Sequence, residues 1–323
     1  MKSTLFVFIS LIINSTVLSQ AKYAYFPNEY NEFIKLENIN WAARTYEHYS
    51  FLNSKNIKGE NIYKHILNRI SLNEIYAFSQ HEIYGERNDP LSFQNKIIYK
   101  KINDSERVAI DMQLYKDSLQ TLEFDQIFYL EKYRLKSQII SARPSYWVVT
   151  SQGIDLGYGG NFICCINKYD KSKEKNIEAI LIKEIQTELD FESLNSISIL
   201  KETFGMNLSL SLWYGGIAEK LKIYDIKKDS FISPKNIMSY SIFDSTDINE
   251  YDSTGNIIKT YKHAMAPVVA YIINKVQFTQ KIFYNHKQNY FYSVIDEAYL
   301  FVSYNDLSTR KWVTEKRFKI LFH

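Results

Sequence analysis

Two segments of this 323-residue chain read as versions of one another: DQIFYLEKYRLKSQIISA from Asp125 to Ala142, and QKIFYNHKQNYFYSVIDEA from Gln280 to Ala298. Each runs Ile-Phe-Tyr, then a Lys three residues past the Tyr, a Ser, an apolar pair and an Ala. A segment present twice constrains a fold strongly, because whatever element one copy forms the other is expected to form as well. The two triplets lie 155 positions apart (127 to 282). A second similarity falls at nearly the same spacing. NIYKHILNRISLNEIYAF set against LSLWYGGIAEKLKIYD places Tyr63, Ile66, Ile75 and Tyr76 opposite Tyr214, Ile217, Ile223 and Tyr224. So long a spacing excludes a solenoid, whose repeats are roughly 20–50 residues.

Helical and strand periods both occur in each half. NINWAARTYEHYSFLNSKN reads as a helix capped by Asn38 or Asn40, with Trp41, Thr45 and His48 on one line and Ala42, Tyr46 and Tyr49 on the next. NIYKHILNRIS reads as a second helix, with Ile62, Ile66 and Ile70 four apart. FQNKIIYKKI and ERVAIDMQLYKD read as strands joined by an Asn-Asp-Ser turn, and the run from Asp125 to Ser151 opens as a short helix or strand and continues as a strand. SPKNIMSY predicts a short helix capped by Ser233 with Pro234 at its first position. YFYSVIDEAYLFVSY and TEKRFKILF read as strands. Helices early in each half and strands after them predict an α+β fold: two related subdomains of the kind a duplication produces, each with short N-terminal helices packed on an antiparallel sheet. The polar stretch NKYDKSKEKN supplies the boundary. The expected units are 20–168 and a more divergent 177–323, joined by a linker at 169–176.

The first 19 residues are set apart. Lys2, the apolar run Leu5 to Ile13, and Val17 and Ser19 at the −3 and −1 positions have the layout of a secretory signal peptide cut before Gln20. The run is too short for a spanning helix of about 20 apolar residues, and no Cys stands at the cut for lipid attachment. An exported, soluble protein is expected. The 39 basic and 36 acidic side chains are interspersed, for a net charge of +3, which argues against a nucleic-acid partner, since such partners call for a clustered basic face. The one basic cluster, RKWVTEKRFK, is either the solvated face of a terminal strand or a contact for an acidic or anionic partner. Cys164 and Cys165 are adjacent and point to opposite sides of a strand, so they read as small hydrophobes without a disulfide.

Chemistry-bearing motifs do not emerge. The six His form no HExxH pair, no G-x-S-x-G elbow appears, and the GYGG run at 157–160 lacks the phosphate-loop spacing. The pairs His81 with Glu82, Glu123 with Asp125, and Asp296 with Glu297 read as surface charge. The expectation is a protein without catalytic residues, metal or cofactor. Trp, Tyr and Arg are the residues enriched at interface hot spots, which makes Trp41, Arg44, Tyr46, Tyr129, Trp147, Trp213 and Trp312 the interface candidates. Trp41 is either a core Trp with Arg44 across its edge or an interface anchor.

At FIKLENINWAARTYEHYSFLNSKN the chain resembles the GldN/PorN family of the bacterial type IX secretion and gliding apparatus. The matching positions are Trp41, Arg44 and Asn56, with Tyr46 at an aromatic position. HILNRISLNEIYAF and GGIAEKLKIYD look like the family's helix-to-strand segment, and DQIFYLEKYRLKSQIISARPSYW matches a further motif at Tyr129, Lys132 and Pro144. Tyr133 to Leu135 stand where the family has an acidic-Trp pair. The resemblance implies a non-enzymatic, periplasmic structural subunit associated with the outer membrane. It would form a homo-oligomer or ring, bound to an outer-membrane lipoprotein subunit and to the periplasmic part of an inner-membrane motor protein. The alternatives are a secreted glycan- or peptide-binding module and an exported hydrolase.

Overall fold

The computed structural model describes residues 24–25, 38–50, 61–72, 74–79, 87–88, 93–94, 97–101, 107–111, 121–149, 155–159, 162–164, 179–190, 197–203, 205–242, 246–263, 273–306 and 311–322. The expected leader peptide, the expected linker at 169–176, Asn56, His81, Glu82 and Cys165 lie outside them.

The main elements, in chain order, are β1 (Ile39–Ser50), α1 (Ile62–Ser71), β2 (Thr121–Glu131), β3 (Arg134–Val149), β4 (Asp155–Gly159), β5 (Ala179–Asp190), β6 (Ile197–Glu202), α2 (Leu208–Ile217), β7 (Lys222–Asp225), β8 (Ser230–Phe231), β9 (Ile273–Asn285), β10 (Tyr290–Asp306) and β11 (Lys311–Leu321). One five-stranded antiparallel sheet has the order β4-β3-β2-β1-β6, and a six-stranded one has the order β5-β9-β10-β11-β7-β8. A separate hairpin pairs Thr246–Tyr251 with Ile257–His263. Among the described residues no helix is long and apolar enough to cross a membrane, a statement that does not bear on β-barrels.

The expected α+β fold is corrected by this architecture. The described residues are mostly strand, the α-helices number two of ten residues each, and neither half is a set of N-terminal helices laid on its own sheet. The largest departure is the segment around Trp41, which is the 12-residue strand β1 rather than a helix. Trp41, Ala43, Thr45 and Tyr49 face the interior, and Arg44, Tyr46 and His48 face outward. That is a period of two. The helix at Ile62–Ser71 forms as expected. Asn61 caps it by accepting from the Tyr63 amide at 2.9 Å, and Ile62, Ile66 and Ile70 are buried on one side. The turn at Ser233 is a single 3-10 turn, Pro234–Asn236.

The two look-alike segments form two hairpins that pack face to face. In the first, Glu131 pairs with Arg134 across a two-residue loop whose residues, Lys132 and Tyr133, both have positive φ (50° and 68°). Positive φ at both positions matches the twist of the flanking strands. In the second, Asn285 pairs with Tyr290 around a longer loop, and the Asn285 side chain accepts from the amides of Lys287 and Gln288 at 3.0 Å each. Both hairpins carry a register shift at the same place, beside Gln126 in one and Gln280 in the other.

Matching the ladders pairs Gln126 with Gln280, Phe124 with Phe278, Ser137 with Ser293 and Ala142 with Ala298. The matched glutamines touch: Gln280 Nε2 donates to Gln126 Oε1 at 2.9 Å, 154 positions away. The matched serines also meet, 156 positions apart. The extra two residues are those of the longer loop. Phe128 therefore corresponds to Ile282, and the Ile-Phe-Tyr triplets that look alike in the sequence are one position out of register. In a strand one position reverses the face: Phe128 is buried, whereas Phe283 stacks on Tyr292 with parallel rings 5.0 Å apart on the other side.

The interior draws on both halves of the chain. One apolar cluster joins α1 and Phe124 to Ile282, Tyr284 and Phe291; the other joins α2, Trp41, Phe128 and Leu130 to Phe278, Ile295 and Phe318. Rings cross the interface at 5.0 Å in Phe124–Phe291 and Phe128–Phe278. β6, from beyond the expected linker, completes the first sheet by pairing with β1. α2 sits close on its neighbours because Gly215 and Gly216 face them. A Cβ at Gly216 would lie 2.5 Å from Ile223 Cδ1, and one at Gly215 2.7 Å from Leu221 Cδ1.

Candidate interaction face

Each sheet has an inner side in this shared core and an outer side. On the outer side of the second sheet, alternation along β10 and β11 lines up two rows. The register sets Tyr299 opposite Lys319, Phe301 opposite Lys316, Ser303 opposite Thr314 and Asn305 opposite Trp312. β9 adds Lys275 opposite Phe301 and Gln277 opposite Tyr299. The lysines lie across the rings. Lys275 Nζ is 5.0 Å from the centre of Phe301, Lys316 Nζ is 4.5 Å from that of Tyr299 and 5.8 Å from that of Phe301, and Lys319 Nζ is 5.7 Å from that of Tyr299. Such contacts contribute roughly 0.5–1 kcal/mol each at exposed sites.

Three lysines on this face are paired with carboxylates. Lys275 pairs with Glu188, Lys281 with Asp296 at 2.6 Å, and Lys319 with Glu297 at 2.5 Å. Burial pushes the Glu297 carboxyl up, but the hydrogen bonds from Lys319 and Tyr299 outweigh it and hold the pKa below the usual carboxylate range. The hydrogen bond to Asp296 raises that of Lys281. Lys316 is exposed and has no carboxylate partner among the described residues. Four positions along the same side of β11 stands Trp312, 74% exposed. The hydroxyls between them, Ser303 and Thr314, bond to each other at 2.8 Å.

The outer side of the first sheet is built differently. Arg44 donates to both carboxylate oxygens of Asp125, at 2.9 and 2.8 Å, and lies 4.7 Å from the ring centre of Tyr46. Glu123 accepts from His48 Nε2 at 2.8 Å and also from Arg143. Burial raises the Glu123 pKa, yet the His48 and Arg143 hydrogen bonds outweigh that and leave it lowered. Beside these pairs Ile39, Ala42, Ile127, Tyr129 and Ile140 form a buried apolar cluster. Glu123 and Asp125 thus each hold their own cationic partner. Among the described residues no group of three or more His, Cys, Asp or Glu is placed to hold a metal ion.

The candidates named from sequence do not gather in one place. Trp41 is 0% exposed and Trp213, on α2, 2%, both in the same core cluster. Arg44, Tyr46 and Tyr129 lie on the outer side of the first sheet, Tyr46 being 40% exposed and Tyr129 5%. Trp147 lies on β3, with its side chain outside the described residues. Trp312 alone is both described and open to solvent over most of its surface. Its companions Tyr299, Phe301 and Lys316 escape a search for single large residues. The alternation Trp312, Thr314, Lys316 within RKWVTEKRFK is the signal that finds them. Compared with known protein families, curated proteins and solved structures, the chain matches none.

Proposed function

We propose that this protein is a non-enzymatic exported subunit that works by binding a protein partner in a bacterial envelope assembly, and that the outer side of its second sheet carries that contact. One observation carries the reading. A tryptophan 74% exposed stands at the end of a lysine-clamped aromatic row on a sheet face. Leaving so large a ring in water forfeits roughly 1.5–3 kcal/mol of burial, and buried Trp is a frequent anchor of protein interfaces. Phe301 is held by lysines from both neighbouring strands and Tyr299 by two from β11, so little ordering entropy is lost when a partner covers them. The resemblance to the GldN/PorN family supplies the setting, a periplasmic ring or scaffold with an outer-membrane lipoprotein subunit and an inner-membrane motor as neighbours.

The test is sedimentation of the tagged full chain extracted from the envelope of cells that encode it. Wild type is expected in a large particle, and Trp312→Ala in the slow, free fraction. A wild-type chain that sediments as a free monomer sinks the reading.

A further inference from the structure

On the proposed contact face one lysine of the aromatic row has no carboxylate among the described residues. Three of its lysines, Lys275, Lys281 and Lys319, each hold a carboxylate of this chain. Lys316, in the same array, is held among the described residues by the faces of Tyr299 and Phe301 and by no carboxylate. A cation set between two aromatic rings keeps its ammonium directed outward, because the ring faces engage its stem and one side of its head. From this geometry we infer that the partner presents an acidic, extended segment that lies along β11, with one carboxylate on Lys316 and an apolar side chain against Trp312. The inference rests on the reading of this face as a protein contact and adds the chemistry of what it contacts.

The spacing is that of an extended chain. Trp312 and Lys316 lie four residues apart on one strand, about 13 Å at roughly 3.3 Å per residue. Residues i and i+4 of a partner strand lie on one face at the same distance, so one acidic and one apolar residue four apart meet both groups at once. Between them the Ser303 and Thr314 hydroxyls bond to each other, which takes up one O–H donor. That favours a peptide over a glycan, whose hydroxyls need several directed donors and acceptors free at the surface.

The experiment is calorimetric titration of the full chain with three probes: an octapeptide with Glu at its second and Leu at its sixth position in a Ser/Thr background (the Glu-Leu peptide), the same peptide with Lys in place of Glu (the Lys-Leu peptide), and an oligogalacturonate. The Glu-Leu peptide is expected to bind and the Lys-Leu peptide not to. Lys316→Glu should weaken the Glu-Leu peptide at least about tenfold, as loss of an attractive charge contact and gain of a repulsive one require, while Lys316→Arg retains binding. Equal binding of both peptides, no binding of the Glu-Leu peptide, or binding that Lys316→Glu leaves unchanged overturns the inference. Binding of the oligogalacturonate alone overturns it in favour of an acidic glycan. The envelope particle separates the two levels. If Trp312→Ala leaves the particle and Lys316→Glu remains in it, the assembly reading stands and the acidic segment is wrong. If the Glu-Leu peptide binds as expected and Trp312→Ala stays in the particle, the reverse holds.

Discussion

On the outer side of the first sheet Glu123 sits opposite Arg143; the corresponding register pair of the second sheet is Gln277 opposite Tyr299. The frame beneath is the same in both places, with a matched bulge, a matched glutamine and a matched serine. The first face closes its charges on themselves in partly buried pairs between neighbouring strands. The second spreads rings and lysines across the surface and leaves Lys316 and Trp312 open. Residues pointing inward have to satisfy one shared core, so their pattern is held in both sheets. Residues pointing outward answer only to what lies outside, and there the two sheets part.

Substitutions can break this contrast in order of size. Trp41→Ala removes a fully buried ring from the inner side of the first sheet and is expected to cost about 3–5 kcal/mol, read as a lower urea midpoint. Trp312→Ala in the same assay should leave the midpoint unmoved. A comparable loss for both would mean that the exposed Trp is structural. Next in size, Arg143→Ala strips a partner from partly buried Glu123 and should cost about 1–3 kcal/mol. The equivalent change on the open face, Lys281→Ala, should leave stability unaltered, because an exposed pair is screened by solvent.

The smallest expected effect is a pH dependence. The Glu123 pKa is lowered in the folded chain, so the unfolded chain binds its proton more readily. Its contribution is present above the ordinary carboxylate pKa of 4.5 and is lost as pH falls through the lower folded value. Glu297 and Asp225 shift in the same direction, so the informative quantity is a difference. Between about pH 5 and about pH 3, the range in which carboxylates take up protons, Glu123→Gln should lose less stability than wild type. Equal loss would show that the closed face contributes nothing through this carboxylate.

Single elements were legible but the fold class was not, and the errors have definite causes. α1 could be read because Ile62, Ile66 and Ile70 fit only a helical period. β1 could not, because Trp41, Thr45 and Tyr49 are four apart, a spacing that fits a helix face and also keeps parity along a strand. The deciding residues are Ala43, buried, and His48, turned outward beside buried Tyr49; their small size and mixed character hid the period. The likeness of the two hairpins was visible, but the eye-catching Ile-Phe-Tyr match was one position off, since lettering does not reveal which side of a strand a residue takes. The open face was half legible. Trp312 stood out by type, whereas Lys316, Tyr299 and Phe301 are brought together by the pairing of β10 with β11, which no local pattern states.

The joining of Gln126 to Gln280 has a consequence for the order in which this chain takes shape. The residues that meet there are 154 positions apart, and β1 waits for β6 to complete its sheet. A chain emerging from its N-terminus makes the first hairpin early and must hold its greasy side open until the last third has been synthesised. Folding dominated by such distant pairings is slow, which leaves a long interval in which the apolar side of the first hairpin stays uncovered.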